Sequence, residues 1–203
     1  MHSVYGEYEE ALHHVLSRIT SRIDACSQAY AREHEDTLYD HLSARIKSEE
    51  SMREKLRRRG FEETAFNALR QIHDAVGIRI VCRFIDDVYD MVRLIREFPG
   101  CRVVQEKDYI KNAKENGYRS YHMILDVETE ETDPEGRTPG HFFAEIQLRT
   151  IAMDTWAALE HELKYKKNIE HPDLIVQELH RCANELAACD VSMQTLRRII
   201  RES

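Results

Sequence analysis

The sequence predicts an α/β or α+β domain in which a mixed β-sheet is flanked by helices. Three observations support this fold class. Segments with helical spacing of apolar residues stand at both ends, short apolar strands lie between them, and a helix separates the first two strands. With 203 residues, 42% of them hydrophobic, and only seven glycines and four prolines, the chain can bury the core of one domain.

The N-terminal part of the chain is expected to be helical. Apolar side chains recur there at three- and four-residue steps, which predicts a long helix over 3–33. Ser48 can cap a second, cationic helix with two glutamates in its first turn, and Gly60 can end it. A short third helix fits residues 63–73.

Four strands and three helices are expected in the rest of the chain. The strands, in chain order, are the apolar segments GIRIVCRF, CRVVQEKDY, SYHMILDVE and HFFAEIQLR. The helix DDVYDMVRLIREF crosses between the first two strands, and the acidic, turn-rich segment ETEETDPEGRTPG makes a hairpin of the last two. Helices over MDTWAALEHELKYK and over 172–201 follow.

The elements are expected to form a single domain over 1–203, because no internal repeat or flexible linker interrupts them. Its core spans about 45–166. The terminal helices, 3–33 and 172–201, are expected to pack on each other or to build an oligomer.

Composition excludes several classes of protein. A net charge of −8 argues against a DNA-binding protein, and no apolar run is long enough to cross a membrane. The N-terminus has no signal-peptide pattern. Five cysteines, an odd number without a C-x-x-C pair, favour reduced thiols and a cytoplasmic location over a disulfide framework or a zinc site.

Two carboxylates occupy strand positions where an acid is costly. Asp74 comes just before the first expected strand, and Glu145 lies within the fourth, flanked by phenylalanine and isoleucine. A structural ion pair would account for a single such acid. Two acids on neighbouring strands, beside many lysines and arginines, suit a magnesium ion that carries a polyphosphate.

Basic side chains provide candidate phosphate contacts. Arg45 and Lys47 are expected just before the cationic helix, and Lys55 and Arg58 on its later turns. Arg79, two residues after Gly77, can lie flat on a purine ring. Such a helix is also typical of a solvated surface. Because the chain has neither G-x-x-x-x-G-K-[ST] nor G-x-G-x-x-G, side chains rather than a glycine-rich loop would hold the phosphates.

The segment KDYIKNAKENGYRSYH combines cations with aromatic rings. Lys107 and Lys114 are candidate phosphate contacts, and Tyr118 offers a ring on which a base can stack. His122 can donate to a phosphate oxygen, or it can be a paired strand histidine. The segment is therefore a candidate binding site for a second nucleotide.

Four segments together resemble the successive blocks of the synthetase domain of RelA/SpoT-type alarmone synthetases. They are RIKSEESMREKLRRRG, HDAVGIRIVCRFIDD, EKDYIKNAKENGYRSYH and AEIQLRTIAMDTWAALEHELKYK, in the family's order. The short chain with an N-terminal helix is similar to the small, stand-alone synthetases of bacteria. Upstream hydrolase and downstream regulatory domains, which long relatives carry, are not seen, so synthesis without degradation is expected.

The resemblance implies a nucleotidyltransferase-like mixed sheet and a GTP diphosphokinase of the stringent response. Such an enzyme transfers pyrophosphate from ATP to the 3′-hydroxyl of GDP or GTP, which yields ppGpp or pppGpp and AMP. It also implies a homotetramer and Mg²⁺ as the cofactor. Relatives that act as toxins on adenine nucleotides or tRNA 3′ ends remain an alternative, as does a non-catalytic nucleotide-binding module.

The resemblance also implies a role for each candidate residue. Asp74 would bind magnesium, Glu145 would bind magnesium or act as base on the 3′-hydroxyl, and Gln147 would position that hydroxyl. The ATP site would comprise Arg45, Lys47, Lys55, Arg58 and Arg79, and the GDP/GTP site Lys107, Lys114, Tyr118 and His122. His41 and Asp154 stand where a product-activated subtype has an aromatic residue and an asparagine, so product activation is not expected.

Overall fold

The structure is a computed structural model that describes residues 3–34, 36–165 and 172–202. A 3₁₀ turn (Gly6–Tyr8) precedes helix α1 (Glu9–His34), and a π-helical turn (Asn67–Gln71) follows helix α2 (Glu49–Arg59). The other helices are α3 (Ile85–Arg96), α4 (Ile151–Tyr165) and α5 (Pro172–Glu202). The strands are β1 (His41–Ile46), β2 (Val76–Cys82), β3 (Cys101–Asp108), β4 (Tyr121–Thr129) and β5 (Gly140–Thr150).

The five strands form one mixed sheet in the order β1-β2-β5-β4-β3. The central strands β2 and β5 are parallel, and the other three pairs are antiparallel. This arrangement confirms the predicted fold class, a mixed sheet flanked by helices with a long helix at each end. The expected hairpin of the last two strands is present as β4 and β5.

One face of the sheet belongs to the hydrophobic core. Successive side chains of a strand point to opposite faces, and β5 contributes Phe142, Ala144, Ile146 and Leu148 to this core. Helices α1 and α3 supply the rest of this core with Leu12, Val15, Ile19 and Ile23, and with Val88, Met91, Val92 and Ile95. The opposite face of the sheet is left for polar side chains.

The C-terminal helix packs against the body of the domain at two places. Beside α4, Trp156 forms a small core with Leu179 and Ala183, and its indole N–H donates to the Leu179 carbonyl at 2.8 Å. Near the C-terminus, the buried Arg197 donates to Asp87 at the start of α3. Helix α5 therefore lies against α4 and α3, whereas α1 lies across the sheet.

Two local predictions were wrong. Residues 41–46 form the edge strand β1, so Arg45 lies in a strand and the sheet has five strands rather than four. Leu42, Ala44 and Ile46 alternate with polar residues in β1, but the strand is only six residues long and most of its side chains are exposed, so its apolar signal is weaker than that of the other four. The helix expected over 63–73 is limited to one π-helical turn preceded by two helical residues, because Ile72 is already extended toward β2.

The caps of α2 follow the prediction. The Ser48 hydroxyl accepts a hydrogen bond from the backbone N–H of Ser51, and Gly60 ends the helix in the left-handed conformation with φ of 74°. All five cysteines are free thiols. Among the described residues, none of the helices combines the length and the hydropathy needed to cross a membrane.

Candidate active site

A pocket of about 280 Å³ opens on the polar face of the sheet. Strands β1, β2 and β5 supply nearly all of its lining: Ser43, Ala44, Arg45, Lys47, Asp74, Gly77, Ile78, Arg79, Glu145 and Gln147. Six of these residues were predicted from the sequence as site residues.

Strand register aligns the polar side chains in two rows across this face. One row runs from Arg45 through Gly77 to Glu145. Gly77, in its middle, has no side chain, and this leaves room above the strand. The other row runs across all five strands, through Ser43, Arg79, Gln147, His122 and Lys107.

Asp74 lies two residues before β2, and two lysines donate to the same oxygen of its carboxylate. Lys47 Nζ and Lys55 Nζ donate to its Oδ2 at 2.7 and 2.5 Å, while the buried Oδ1 has no hydrogen-bond partner among the described residues. Burial raises the pKa of the carboxyl, but the two lysines lower it by more, so the pKa lies below its usual value. Asp74 is therefore ionised at neutral pH.

Glu145 has a polar side chain beside each of its oxygens. Gln147 Nε2 donates to Oε2 at 2.9 Å, and His122 Nδ1 lies 3.5 Å from Oε1. Burial and the charge of Asp74 raise the pKa of Glu145, but His122 and Gln147 lower it by more. A second ionised carboxylate thus stands beside Asp74.

The segment from Lys107 to His122, here called the acceptor segment, connects β3 to β4 and borders the same face of the sheet. The Tyr118 hydroxyl lies 2.7 Å from His122 Nε2, and Lys114 Nζ lies 4.6 Å from the centre of the Tyr118 ring. Gly117 has a φ of 88° and packs directly on α5, while Arg119 donates to the Ala183 carbonyl of that helix. Helix α5 therefore supports the segment that presents Tyr118.

Four predicted cations lie outside the pocket lining, namely Lys55, Arg58, Lys107 and Lys114, the last of which lies over the Tyr118 ring. Lys55 reaches the site through its contact with Asp74, whereas Arg58 is exposed on the last turn of α2. Lys107 is exposed on β3, directly across from His122. The structure thus brings together the carboxylates and most of the cations, with Arg58 and Lys107 at the margin.

Arg149 is a site residue that the sequence analysis missed. It is buried at the end of β5, and its guanidinium donates to Tyr118, Gln147 and Asp154. The period of two along β5 would have placed it on the same face as Glu145 and Gln147. Its partner Tyr118 is 31 residues away in the sequence, and Asp154 belongs to the helix that follows β5, so the pattern of β5 did not indicate either contact.

Asp74 and Glu145 are suited to hold a magnesium ion. The described residues contain no cluster of three or more carboxylate, histidine or cysteine side chains that would hold a metal by themselves. Magnesium needs only one or two carboxylates when phosphate oxygens and water complete its coordination. The partnerless, buried Oδ1 of Asp74 beside the ionised Glu145 fits that donor set.

Comparison with known proteins identifies the family. The model of the region found in RelA / SpoT proteins matches residues 44–170. The chain belongs to the RelA/SpoT family. The matched region covers all four segments that carry the sequence resemblance, as well as both carboxylates and every residue of the pocket lining except Ser43.

Within the RelA/SpoT family, the similar proteins include a GTP pyrophosphokinase and small alarmone synthetases that match most of this chain. The chain is 39% identical over 168 residues to the GTP pyrophosphokinase YwaC of Bacillus subtilis, covering 83% of this chain and 78% of YwaC. Its fold matches the small alarmone synthetase 2 of B. subtilis with a TM-score of 0.79 and 36% identity, over 93% and 95% of the two chains. The small alarmone synthetase 1 of B. subtilis bound to its product pppGpp matches with a TM-score of 0.77 and 29% identity, over 95% and 94%.

Proposed function

We propose that this protein is a (p)ppGpp synthetase, which transfers pyrophosphate from ATP to the 3′-hydroxyl of GDP or GTP and releases AMP. One observation carries the proposal. Two ionised carboxylates, Asp74 and Glu145, stand between a set of cations on one side and the aromatic and imidazole side chains of the acceptor segment on the other.

The donor half of the site suits ATP. Arg45 and Arg79 lie on neighbouring strands at the mouth of the pocket, where their planar guanidinium groups can enclose the adenine. Lys47 and Lys55 hold Asp74 at rest and can turn their ammonium groups to the triphosphate. Arg58, on the exposed turn of α2, would contact the outer phosphates.

The acceptor half suits a guanosine nucleotide. Tyr118 would stack on the base, and Lys114, which lies over the Tyr118 ring, would move aside to contact the phosphates. Lys107 and His122, paired across β3 and β4, would contact the acceptor phosphates and sugar. The assignment of the base to guanine follows the named activities of YwaC and the small alarmone synthetases.

Magnesium would be held by Asp74 Oδ1 and Glu145, and when bound it would neutralise charge on the phosphate oxygens. Lys47 and Lys55 would keep the Asp74 carboxylate ionised and aimed into the pocket.

Glu145 would also serve the proton transfer. The 3′-oxygen of the acceptor forms a bond to the β-phosphorus of ATP. The bond from that phosphorus to the oxygen that bridges the α- and β-phosphates breaks, and AMP leaves with the electron pair. The hydroxyl proton passes to Glu145 as the new bond forms, and Gln147, already bonded to Glu145, orients the hydroxyl. Most of the rate enhancement would come from positioning and from the surrounding cations.

The proposal is tested by following the label of γ-labelled ATP in the presence of magnesium. GDP, GTP, ADP and bulk tRNA are offered separately, and the products are resolved. We expect AMP together with a labelled, more highly phosphorylated guanosine nucleotide. Label on adenosine nucleotides or tRNA alone would contradict the guanosine assignment, and no transfer at all would contradict the enzyme.

Site variants test the two carboxylates. We expect Asp74→Ala and Glu145→Gln each to lower kcat by at least about 100-fold, since each removes a group that acts in the transition state. Glu54→Gln, at an exposed position on α2, is the matched control and should keep wild-type activity. Chelation of divalent metal should abolish product formation, and added magnesium should restore it.

The setting of the enzyme is proposed as well. A cytoplasmic location would give access to ATP and GTP, and the free cysteines are compatible with it. Assembly into a homotetramer would use the exposed apolar side chains of α5, which include Val191, Met193, Leu196 and Ile200.

A further inference from the structure

Arg149 connects groups that the proposed reaction needs on both sides of the pocket. Its side chain is 6% exposed. One terminal nitrogen, Nη1, donates to Asp154 Oδ1 at 2.9 Å, and the other, Nη2, donates to Tyr118 Oη at 2.8 Å and to Gln147 Oε1 at 3.0 Å. A single guanidinium thus holds a residue of α4, a residue of the acceptor segment and a residue of β5.

The hydrogen-bond chemistry fixes the direction of these contacts. Arginine only donates and an ionised carboxylate only accepts, so Gln147, which lies between Arg149 and Glu145, has one possible amide orientation. The Tyr118 oxygen accepts from Arg149, which leaves its proton for His122 Nε2. Arg149 is thus connected to Glu145 in two ways, through Gln147 and through Tyr118 and His122, because His122 Nδ1 approaches the second oxygen of that carboxylate.

Arg149 also reaches the donor half through Asp154. The same Oδ1 atom that accepts from Arg149 lies 3.5 Å from Nη1 of Arg79. The chain of contacts therefore extends from Tyr118 to Arg79, the side chains proposed to hold the two bases.

A contribution to the stability of the fold does not account for the buried position of Arg149. The Arg149 Nε–H is buried without a hydrogen-bond partner in the described part of the chain, and burying such a donor costs free energy. A buried charged group is also weak support for stability when apolar residues could fill the space.

We propose that Arg149 is a positioning residue, which holds Tyr118 and Gln147 at one fixed spacing. When the base of the acceptor nucleotide stacks on Tyr118, this spacing places the 3′-hydroxyl of the same nucleotide next to Glu145. The inference rests on the proposed function for the identity of the acceptor. It does not require Arg149 to touch either nucleotide, since Arg149 acts through Tyr118 and Gln147.

Arg149→Lys is the first test. The lysine keeps the buried positive charge beside Asp154, so the chain should fold, but one ammonium cannot reproduce the fork to Tyr118 and Gln147. We expect kcat to fall about 100-fold, while KM for ATP stays within about threefold of wild type. Tyr118→Phe removes the same hydrogen bond, between Arg149 and the Tyr118 oxygen. The fold-losses in kcat from Arg149→Lys and Tyr118→Phe should therefore not multiply in the double variant.

A spectroscopic measurement tests the positioning without catalysis. Trp156 is the single tryptophan, and its ring centre lies 6.3 Å from that of Tyr118. Its ¹⁵N-labelled indole therefore gives one resonance that reports on the placement of the Tyr118 ring. We expect Arg149→Lys to shift this resonance in the nucleotide-free protein, whereas Arg93→Lys, at an exposed position on α3, should leave it unchanged.

The two measurements separate the inference from the proposed function. An unchanged kcat, an unchanged Trp156 resonance in Arg149→Lys, or independent losses in the double variant would each overturn the role of Arg149. A wild-type protein that makes no pyrophosphorylated product would instead refute the proposed function, and the Trp156 resonance would still decide whether Arg149 positions Tyr118.

Discussion

Asp74 illustrates how single side chains set the charge of the pocket. Its carboxylate is mostly buried, which by itself would favour the neutral form, yet the two lysines on Oδ2 outweigh burial and keep the pKa below the usual value. The same contacts leave the buried Oδ1 without a hydrogen-bond partner among the described residues. A residue with this environment is more typical of a ligand site than of a structural ion pair.

The low pKa of Asp74 predicts how the protein's stability depends on pH. A carboxyl whose pKa is lower in the folded state stabilises the fold above its unfolded pKa, near 3.8, and loses this contribution as pH falls through the folded pKa. We expect Asp74→Asn to lower the free energy of unfolding at pH 7 by about 2 kcal/mol. Denaturant titrations between pH 3 and pH 7 should show this difference shrinking below pH 3.8. A difference that grows on acidification would contradict the assigned pKa shift.

Gly77 keeps the pocket open between Arg45 and Glu145. Its φ is not in the left-handed region, and a Cβ at this position would meet only the Arg45 carbonyl oxygen, at 3.9 Å. A side chain is therefore tolerated by the backbone but would enter the pocket that Gly77 lines.

We expect Gly77→Val to fold with unchanged or slightly higher stability, by up to about 1 kcal/mol, because a β-branched residue suits a strand better than glycine. ATP binding, measured by calorimetry, should be lost because the valine methyl groups occupy the pocket. Gly77→Ala, which adds one methyl group, should weaken binding less. Wild-type ATP affinity in Gly77→Val would show that the nucleotide does not enter this pocket.

At the scale of elements, the contact between α5 and the acceptor segment links the last helix to the site. A Cβ added to Gly117 would lie 2.6 Å from Ala183 Cβ, closer than atoms approach in folded proteins, and the glycine also has a positive φ of 88°. Either the segment or the helix must move to accept a larger residue.

Gly117→Ala should therefore both destabilise the protein and disturb the acceptor site. We expect the free energy of unfolding to fall by about 2 kcal/mol and KM for GDP to rise more than KM for ATP. The matched control is Gly136→Ala, at a φ of 79° with no atom within 4 Å of the added Cβ, which should cost about 1 kcal/mol and leave both KM values unchanged. Equal kinetic effects of the two variants would contradict the coupling between α5 and the acceptor segment.

Some secondary-structure elements were predicted from the sequence and others were not, depending on whether their signals are local. The alternation along most of β5 and the Ser48 and Gly60 caps of α2 are local signals, and the structure confirms the strand and the helix. Strand β1 also alternates, but it is a short, exposed edge strand held mainly by its pairing with β2, so its identification depends on a partner strand distant in sequence. Arg149 was missed for the same reason, since its partners come from two other elements.

For the whole molecule, the distribution of charge favours small nucleotides over nucleic acid. The chain has 37 acidic and 29 basic residues, yet the pocket lining carries Arg45, Lys47 and Arg79 against Asp74 and Glu145. A local excess of positive charge inside an acidic protein attracts a nucleoside triphosphate into the cleft but gives a long polyanion little surface to follow.

The exposed apolar side chains of α5 allow a prediction about the subunit interface. Arg197 faces the domain and is buried, whereas Leu196 and Ile200 are 52% and 73% exposed, so charges at these two positions should leave the fold intact. We expect Leu196→Glu/Ile200→Glu to reduce the mass measured by light scattering from that of a tetramer to that of a smaller species, because a subunit interface would have to bury both carboxylates. Phe66→Glu, at an exposed apolar position outside α5, should retain the wild-type mass. A double variant with the wild-type mass would exclude this side of α5 from the interface.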